Sequence, residues 1–273
     1  MQNISFDLIV IGAGPGGYVG AIRAAQLGMN VACIDRRATL GGTCLNVGCI
    51  PSKALLNASE HFANAASGSL GNMGVSVGKV TLDLDQMMQS KSDIVATLTG
   101  GIDFLFKKNK ITRLEGTASI IASGRVKIAT GKDKGDYQAE KIMIATGSHP
   151  SSLPGITIDE SRIVSSTGAL SLETLPKKLS VIGAGYIGLE LGTVWARLGA
   201  EVEVIEYLPR ILPGMDSEVA KKFMAIAQKQ GLKFRLGTAV KSVKPEKHGV
   251  SLAVTSADGG TEETIKANIA LVS

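Results

Sequence analysis

Two cysteines, Cys44 and Cys49, lie five positions apart in the segment GGTCLNVGCIPSK and could do redox chemistry. Positions i and i+5 are not neighbours on a regular helix, but a first turn distorted at Gly48 could bring the two sulfurs to bonding distance. Thiolates at a helix N-terminus are stabilised, which favours disulfide exchange. Pro51 suits the start of the regular helix that follows. Metal binding and two buried inert thiols remain alternatives.

A strand, a GxGxxG turn, a helix, a second strand and an acidic residue follow one another twice in the chain. The first copy contains Gly12, Gly14, Gly17 and Asp35, and the second contains Gly183, Gly185, Gly188 and Glu206. In such a turn the first glycine allows a tight bend, the second lets the backbone approach a pyrophosphate, and the third allows close packing of helix on strand. The acid can accept a hydrogen bond from a ribose hydroxyl. The acid of the second copy favours NAD over NADP, although nearby Arg210 leaves NADP open.

Two further charged residues lie close to these motifs. Lys53 follows the cysteines on the same predicted helix, where a cation could stand beside a flavin ring and favour its reduced, anionic form. Glu190 lies on the helix of the second GxGxxG turn, on a face rich in small residues, and could pair with Lys53. By position alone, a surface lysine is the simpler interpretation of Lys53, and a solvated strand end remains an alternative for Glu206. Cys33 lies in a β-like run and is predicted to fill the core.

The elements that must position these residues alternate between strand and helix. Strands are predicted at 6–11, 30–35, 111–114, 118–121, 126–129, 141–145, 179–182 and 201–206, helices at 44–66, 84–108 and 216–230, and three further strands up to residue 273. Residues 68–78 are predicted as a loop, and residues 148–155 as a linker. The fold class is therefore α/β, with two tandem Rossmann-like dinucleotide-binding domains. We predict an FAD-binding domain at 1–150 and an NAD-binding domain at 151–273.

Composition excludes several other classes of protein. The net charge is +5, but lysines and arginines are spread along the chain without interleaved aromatics, which argues against nucleic-acid binding. The chain has no apolar run of about 18 residues, so we expect no membrane span. Three cysteines are too few for a secreted disulfide scaffold. We also see no leader sequence and expect a cytoplasmic protein or, if a leader has been removed, one of the mitochondrial matrix.

The segment GGTCLNVGCIPSKALL resembles the redox-active disulfide motif of the class I pyridine nucleotide–disulfide oxidoreductases. The motifs IGAGPGGY, IATGS and IGAGYIGLELG are also similar to this family, and the likeness covers the whole chain. Leu45, Ile50 and Ser52 most resemble the dihydrolipoamide dehydrogenases within it. Mercuric reductases are similar but usually carry Val at positions 45 and 50.

The resemblance implies a role for each matching residue. FAD would be bound by the first GxGxxG turn and Asp35, together with Arg36, Gly42, Thr43, Lys53, Gly116, Thr146, Gly147 and Ser148. NAD would be bound by the second GxGxxG turn, Glu206 and Val240. Cys44 would exchange with the dithiol substrate, Cys49 would contact the flavin, and Lys53 would form an ion pair with Glu190 beside it. No metal is implied.

The resemblance also implies an activity and partners. The activity is oxidation of dihydrolipoamide with NAD⁺ as the final acceptor, on the dihydrolipoyl domain of a 2-oxoacid dehydrogenase or on a glycine-cleavage carrier, by a homodimer. The alternatives are a related disulfide or mercuric reductase and a non-catalytic FAD- and NAD-binding module. A pure binding module would have no need of the paired cysteines.

The chain departs from the family in one large respect. The catalytic histidine of the family lies in a C-terminal interface domain, and His61, His149 and His248 do not lie in such a motif. The chain also ends within a strand-like run at 268–273. We therefore expect a fragment that lacks the interface domain and turns over lipoamide weakly or not at all by itself.

Overall fold

The computed structural model describes residues 5–273, which form two compact units. The first unit contains residues 5–51 and 92–149, and the second contains Ser52–Lys91 and Pro150–Ser273. The boundary at Pro150 falls in the predicted linker. The assignment of 1–150 to FAD and 151–273 to NAD remains a prediction, because the units group residues by packing and not by ligand.

The first unit is built on one sheet. Its elements, including two helices that continue into or begin in the second unit, are β1 (Ser5–Ile11), α1 (Pro15–Gln26), β2 (Val31–Asp35), α2 (Gly42–Val47), α3 (Cys49–Ala66), α4 (Leu84–Lys108), β3 (Thr112–Glu115), β4 (Thr117–Ala122), β5 (Arg125–Thr130) and β6 (Gly135–Ile144). The strand order is β3-β2-β1-β6-β5-β4. The first four strands in this order are parallel, and β5 and β4 continue antiparallel.

The middle strand β1 is buried on both faces, as expected for a parallel sheet covered on both sides. Ile9 and Val10 point to opposite faces and are fully buried in two different apolar clusters. The small residues Ala21 and Ala24 bring α1 close to one face. The strands β2 and β3 lie on one side of β1, and β6 lies on the other side. The carboxyl end of β1 is therefore a topological switch point, where such sheets bind ligands.

The second unit contains a parallel sheet and a smaller antiparallel one. Its remaining elements are β7 (Ile163–Val164), α5 (Ser166–Ala169), β8 (Lys178–Ile182), α6 (Tyr186–Leu198), β9 (Glu201–Ile205), α7 (Ser217–Lys229), β10 (Lys233–Arg235), β11 (Thr238–Glu246), β12 (Gly249–Ser256), β13 (Glu263–Ala267) and β14 (Ile269–Val272). The parallel sheet has the order β10-β9-β8-β14-β7, and β11-β12-β13 form the antiparallel sheet.

The order β10-β9-β8-β14 repeats the order β3-β2-β1-β6 of the first unit. In both, a glycine turn follows the strand at the switch point and leads into a helix. The predicted α/β fold with two Rossmann-like halves is therefore confirmed. Trp195 on α6 is fully buried in the core of the second unit, and its Nε1 donates to the carbonyl of Ala169 at 3.1 Å.

Four details of the predicted elements are wrong. Residues 68–78, which are predicted as a loop, contain a short 3-10 helix at Ser69–Met73. The helix predicted at 44–66 is two helices, because the backbone of Gly48 (φ −142°, ψ −114°) is not helical. The three strands predicted after α7 are five, since only two residues separate β11 from β12 and only one separates β13 from β14. The short β7 and α5 were missed, because two and four residues are too few to show a period.

No helix in the described residues is long and apolar enough to cross a membrane.

Candidate functional site

The first glycine turn joins β1 to α1. Gly12 has φ +102°, and a Cβ at this position would overlap with the carbonyl oxygen of Ala145. A Cβ on Gly17 would overlap with the carbonyl oxygen of Gly12, so the helix can lie this close to the turn only with glycine there. Gly14 is the N-cap of α1, and no side chain caps the helix. The backbone N–H groups of the first turn of α1 are therefore available to an anion such as a pyrophosphate.

Asp35 at the end of β2 holds this turn. Its Oδ2 accepts from the backbone N–H of Ala13 at 2.7 Å, and its Oδ1 accepts from the N–H of Arg37 at 2.9 Å. Each carboxylate oxygen can accept a second hydrogen bond, so a ribose hydroxyl still fits. Arg36 is exposed beside it.

Three predicted FAD-binding residues form an exposed turn after β6, namely Thr146, Gly147 and Ser148. The carbonyl of Ser148 accepts from the hydroxyl of Thr43 at 3.3 Å, which joins this turn to α2. Gly116 donates its N–H to the carbonyl of Asp35 at 2.8 Å. A Cβ on Gly116 would overlap with the carbonyl of Thr130, so a larger residue would push the strands apart. The structure thus gathers these residues at the carboxyl edge of the first sheet.

The two cysteines of the redox motif lie on either side of the helix break. Cys44 is half-buried in α2, and Cys49 is exposed as the first residue of α3. A Cβ at Gly48 would be 3.0 Å from the carbonyl oxygen of Thr43 and 3.3 Å from the Cα of Cys44, so the chain folds back tightly on itself at this point. The distortion predicted at Gly48 is present. The pairing of Cys44 with Cys49 in a disulfide remains a prediction.

Asn46, between the two cysteines, holds this segment and was missed by sequence reasoning. Its Nδ2 donates to the carbonyls of Leu40 at 3.0 Å and Gly42 at 2.8 Å, and its Oδ1 accepts from the hydroxyl of Thr39 at 2.6 Å. A Cβ on Gly42 would overlap with the Cα of Gly14, so the redox segment and the first glycine turn pack backbone on backbone. A polar amide in an otherwise apolar and small stretch was the signal that could have identified it.

Cys33 differs from the other two cysteines. It is fully buried in β2, and burial, helped by the charge of Asp35, raises the pKa of its thiol to about 12. A thiol of this kind is inert, in agreement with its predicted place in the core.

The predicted ion pair between Lys53 and Glu190 is present within the second unit. Lys53 Nζ lies 2.5 Å from Glu190 Oε1, with 60% of the lysine side chain and 29% of the glutamate side chain exposed. The buried hydroxyl of Ser52 donates to the other oxygen, Oε2, at 2.8 Å. Glu190 is therefore held from both sides, and Ser52 is a second residue whose contact the sequence did not predict.

The second glycine turn has the same construction as the first. Gly183 has φ +104°, and a Cβ there would overlap with the carbonyl oxygen of Ser273. A Cβ on Gly188 would overlap with the carbonyl oxygen of Gly183. Gly185 is the N-cap of α6, again without a capping side chain. The turn can therefore accept a second dinucleotide pyrophosphate.

Glu206 comes directly after β9, in the place that corresponds to Asp35 at the end of β2. Its Oε2 accepts from the N–H of Ala184 at 2.7 Å, and its Oε1 accepts from the N–H of Leu208 at 2.8 Å. The residue is buried, and these two hydrogen bonds satisfy both of its carboxylate oxygens. Val240 lies half-buried on β11. No group of three His, Cys, Asp or Glu residues in the described part of the chain could hold a metal ion.

Comparisons with known proteins agree with this arrangement. The family model described as pyridine nucleotide-disulphide oxidoreductase matches residues 6–273. Dihydrolipoyl dehydrogenase 3 of Pseudomonas aeruginosa is 53% identical, over 98% of this chain and 57% of that protein. Mitochondrial dihydrolipoyl dehydrogenase 1 of Arabidopsis thaliana is 52% identical, over 98% of this chain and 53% of that protein.

A solved structure has the same fold. The Cu(II) complex of the HOCl-induced flavoprotein disulfide reductase RclA from Escherichia coli superposes with a TM-score of 0.83 and 25% identity. The match covers 100% of this chain and 56% of that chain. The chain thus spans about half the length of the relatives that it matches.

Proposed function

Because the chain belongs to the pyridine nucleotide-disulphide oxidoreductase family, we propose that it carries the flavin- and nicotinamide-binding part of a dihydrolipoamide dehydrogenase. The observation that supports this most directly is the backbone packing of Gly42 against Gly14. It fixes the segment with the two cysteines onto a turn built for a dinucleotide pyrophosphate. A disulfide reductase needs this proximity of thiol and cofactor, whereas a simple nucleotide-binding module does not.

FAD fits the first glycine turn. The N-terminus of α1 would bind the pyrophosphate, and Asp35 would accept from the ribose. Residues 146–148 and Gly116 would border the cofactor at the same edge of the sheet. When bound, the flavin supplies the transfer of an electron pair between a thiol and a nicotinamide.

Cys44 and Cys49 would perform the exchange with substrate. One thiolate of the dihydrolipoyl group attacks the sulfur of Cys44, which breaks the Cys44–Cys49 bond, forms a mixed disulfide and leaves Cys49 as a thiolate. The second substrate thiolate then attacks the sulfur of the substrate in this mixed disulfide. The cyclic lipoyl disulfide is released, and Cys44 leaves as the second thiolate. The substrate is oxidised and the cysteine pair is reduced.

The acid after β9 supports NAD as the acceptor. The carboxylate of Glu206 would accept from the ribose 2′-hydroxyl and would repel a 2′-phosphate. Lys53 would place a positive charge near the flavin, with Glu190 fixing the ammonium group and Ser52 fixing the carboxylate of Glu190.

The partners and the location of the whole protein are proposals that rest on the relatives. A dihydrolipoyl domain of a 2-oxoacid dehydrogenase or of the glycine-cleavage system would be the substrate, and the whole protein would be a homodimer. Relatives of this chain include bacterial proteins and proteins named as mitochondrial, so the bacterial cytoplasm and the mitochondrial matrix are both proposed.

The test is the visible absorption spectrum of the purified chain before and after anaerobic addition of NADH. We expect a yellow protein that bleaches and gains a new long-wavelength absorption. The Cys49→Ser variant should bleach without gaining that absorption, and Cys44→Ser should keep it. A chain that remains colourless after incubation with FAD would contradict flavin binding by this part of the protein. Identical spectral changes in all three proteins would favour a module without disulfide chemistry.

A further inference from the structure

Arg210 lies in the loop between β9 and α7, and its side chain turns back into that loop. Its Nη2 donates to the carbonyl of Leu212 at 3.1 Å and to the carbonyl of Met215 at 2.5 Å. Its Nε is buried and has no hydrogen-bond partner in the part of the chain that the structure describes. The guanidinium group therefore binds backbone carbonyls of its own loop.

The same loop is hydrogen-bonded to the second glycine turn. The N–H of Leu212 donates to the carbonyl of Ala184 at 3.0 Å, while Oε2 of Glu206 accepts from the N–H of Ala184 at 2.7 Å. Both polar groups of Ala184 are thus fixed by residues of the segment that follows β9. The position of the turn depends on the conformation of this loop.

In the first unit, both polar groups of the corresponding residue, Ala13, are hydrogen-bonded in the same way, but glycine takes the place of Leu212. Asp35 accepts from the N–H of Ala13, and the N–H of Gly41 donates to the carbonyl of Ala13 at 2.9 Å. Gly41 has φ +100°, a conformation that costs glycine little. In the second unit a leucine, Leu212, occupies this place with φ +49°, which is unfavourable for a side chain with a Cβ. The bonds from Arg210 to the loop carbonyls compensate for this conformation.

We propose that Arg210 is a positioning residue that holds the 207–216 loop against Ala184 and that it is not a ligand of a ribose 2′-phosphate. Arg210 is the single cation of this loop, and its guanidinium group is bound to loop carbonyls. It is therefore not available to a ribose 2′-phosphate, whereas Glu206 can still accept a hydrogen bond from a 2′-hydroxyl. This inference rests on the proposed binding of NAD in the second unit. It differs from the reading of Arg210 as a 2′-phosphate ligand, which its sequence position alone would suggest.

Binding of NADH and NADPH distinguishes a positioning role of Arg210 from a role as a 2′-phosphate ligand. We would titrate both cofactors into the chain by fluorescence, comparing wild type with Arg210→Met and comparing Glu206→Gln with Glu206→Gln/Arg210→Met. We expect loss of Arg210 to raise the Kd for both cofactors by about tenfold, because the loop is no longer preorganised, and to leave their ratio unchanged. Lys221→Met, which removes an exposed cation from α7, is the matched control and should change neither Kd. A loss of affinity confined to NADPH would show a phosphate ligand and overturn the proposal.

Hydrogen exchange of the cofactor-free chain gives an independent readout. In Arg210→Met we expect amides of residues 207–216, Leu212 above all, to exchange about tenfold faster, while the amides of β9 are unchanged. In Arg210→Lys, which can still donate to one carbonyl, the exchange rate of these amides should lie between those of wild type and Arg210→Met. Unchanged exchange in the loop would overturn the positioning role. If wild type binds neither cofactor, the proposed nicotinamide site fails, and the exchange experiment still decides whether Arg210 holds the loop.

Discussion

At the scale of single residues, the acids after β2 and β9 have a structural task in addition to their proposed contact with ribose. Asp35 and Glu206 each accept two backbone N–H groups, one of them from the residue between the first two glycines of the turn. The turn that is proposed to bind phosphate is therefore tied to the end of the neighbouring strand. Hydrogen bonds to a carboxylate are stronger than those between neutral groups, so replacing either acid would loosen the turn as well as remove the proposed ribose contact.

Cys49 and Cys33 should differ in their reactivity towards alkylating reagents. Cys49 is exposed, whereas Cys33 is fully buried and its pKa is raised to about 12, so only about one in ten thousand Cys33 thiols would be ionised at about pH 8. We expect iodoacetamide to modify Cys49 of the reduced chain quickly and to leave Cys33 intact, as read by mass spectrometry of peptides. In urea the two should react at similar rates. Modification of Cys33 in the folded chain as fast as Cys49 would contradict this.

The site residues that the sequence predicts best are those with a fixed spacing to a glycine turn or a cysteine. The glycines, Asp35 and Glu206 lie where strand, turn and helix must place them. The contact between Lys53 and Glu190 was a weaker inference, because 137 positions separate them and only tertiary structure brings them together. Asn46 and Ser52 could not be assigned, since their partners are backbone carbonyls and a carboxylate that a one-dimensional pattern does not identify.

At the scale of secondary-structure elements, the break between α2 and α3 determines the geometry of the redox motif. A Cβ at Gly48 would press on the carbonyl of Thr43 and the Cα of Cys44, at 3.0 and 3.3 Å. We expect Gly48→Ala to open the turn and to slow formation of the Cys44–Cys49 disulfide by oxidised glutathione about tenfold, measured by loss of free thiols. Gly71→Ala, where a Cβ meets no atom within 4 Å, is the control. Equal rates in both variants would show that the break does not position the cysteines.

The turn before β7 should make the second unit sensitive to acid. Burial by itself would raise the pKa of Asp159, but the N–H groups of Ile163, Ser161 and Arg162 donate to its carboxylate and lower the pKa to about 2. The folded-state pKa lies below the unfolded value of about 3.9, so the stabilisation is complete above that value and is lost as the pH falls towards about 2.

We therefore expect Asp159→Asn to destabilise the chain by about 1 kcal/mol near pH 7, a figure reduced for solvent screening, and by less near pH 3. Urea titrations followed by tryptophan fluorescence would measure the difference at each pH. The exposed Glu262→Gln variant should show no such dependence. A difference between wild type and Asp159→Asn that stays constant with pH would exclude this role of the carboxylate.

At the scale of the whole molecule, the duplicated architecture was predictable and the division into units was not. The repeated strand–glycine turn–helix–strand motif specifies two sheets with the same strand order. The segment Ser52–Lys91 lies between these motifs in sequence, and its apolar periodicity shows a buried face without showing which core receives it. The structure places this segment in the second unit, where Leu55 is fully buried and Phe62 and Leu84 pack at the edge of the core.

This division predicts that a cavity at Leu55 destabilises the second unit. Trp195, the only tryptophan of the chain, is fully buried in the same apolar cluster and reports on the second unit. We expect Leu55→Ala to lower the free energy of unfolding measured by tryptophan fluorescence by roughly 2–4 kcal/mol, because the cavity cannot fully collapse. Leu27→Ala, at a position that is 66% exposed, should leave the transition unchanged. If Leu55→Ala also leaves the Trp195 transition in place, residues 52–91 do not stabilise the second unit, and a domain boundary near residue 150 alone would describe the molecule better.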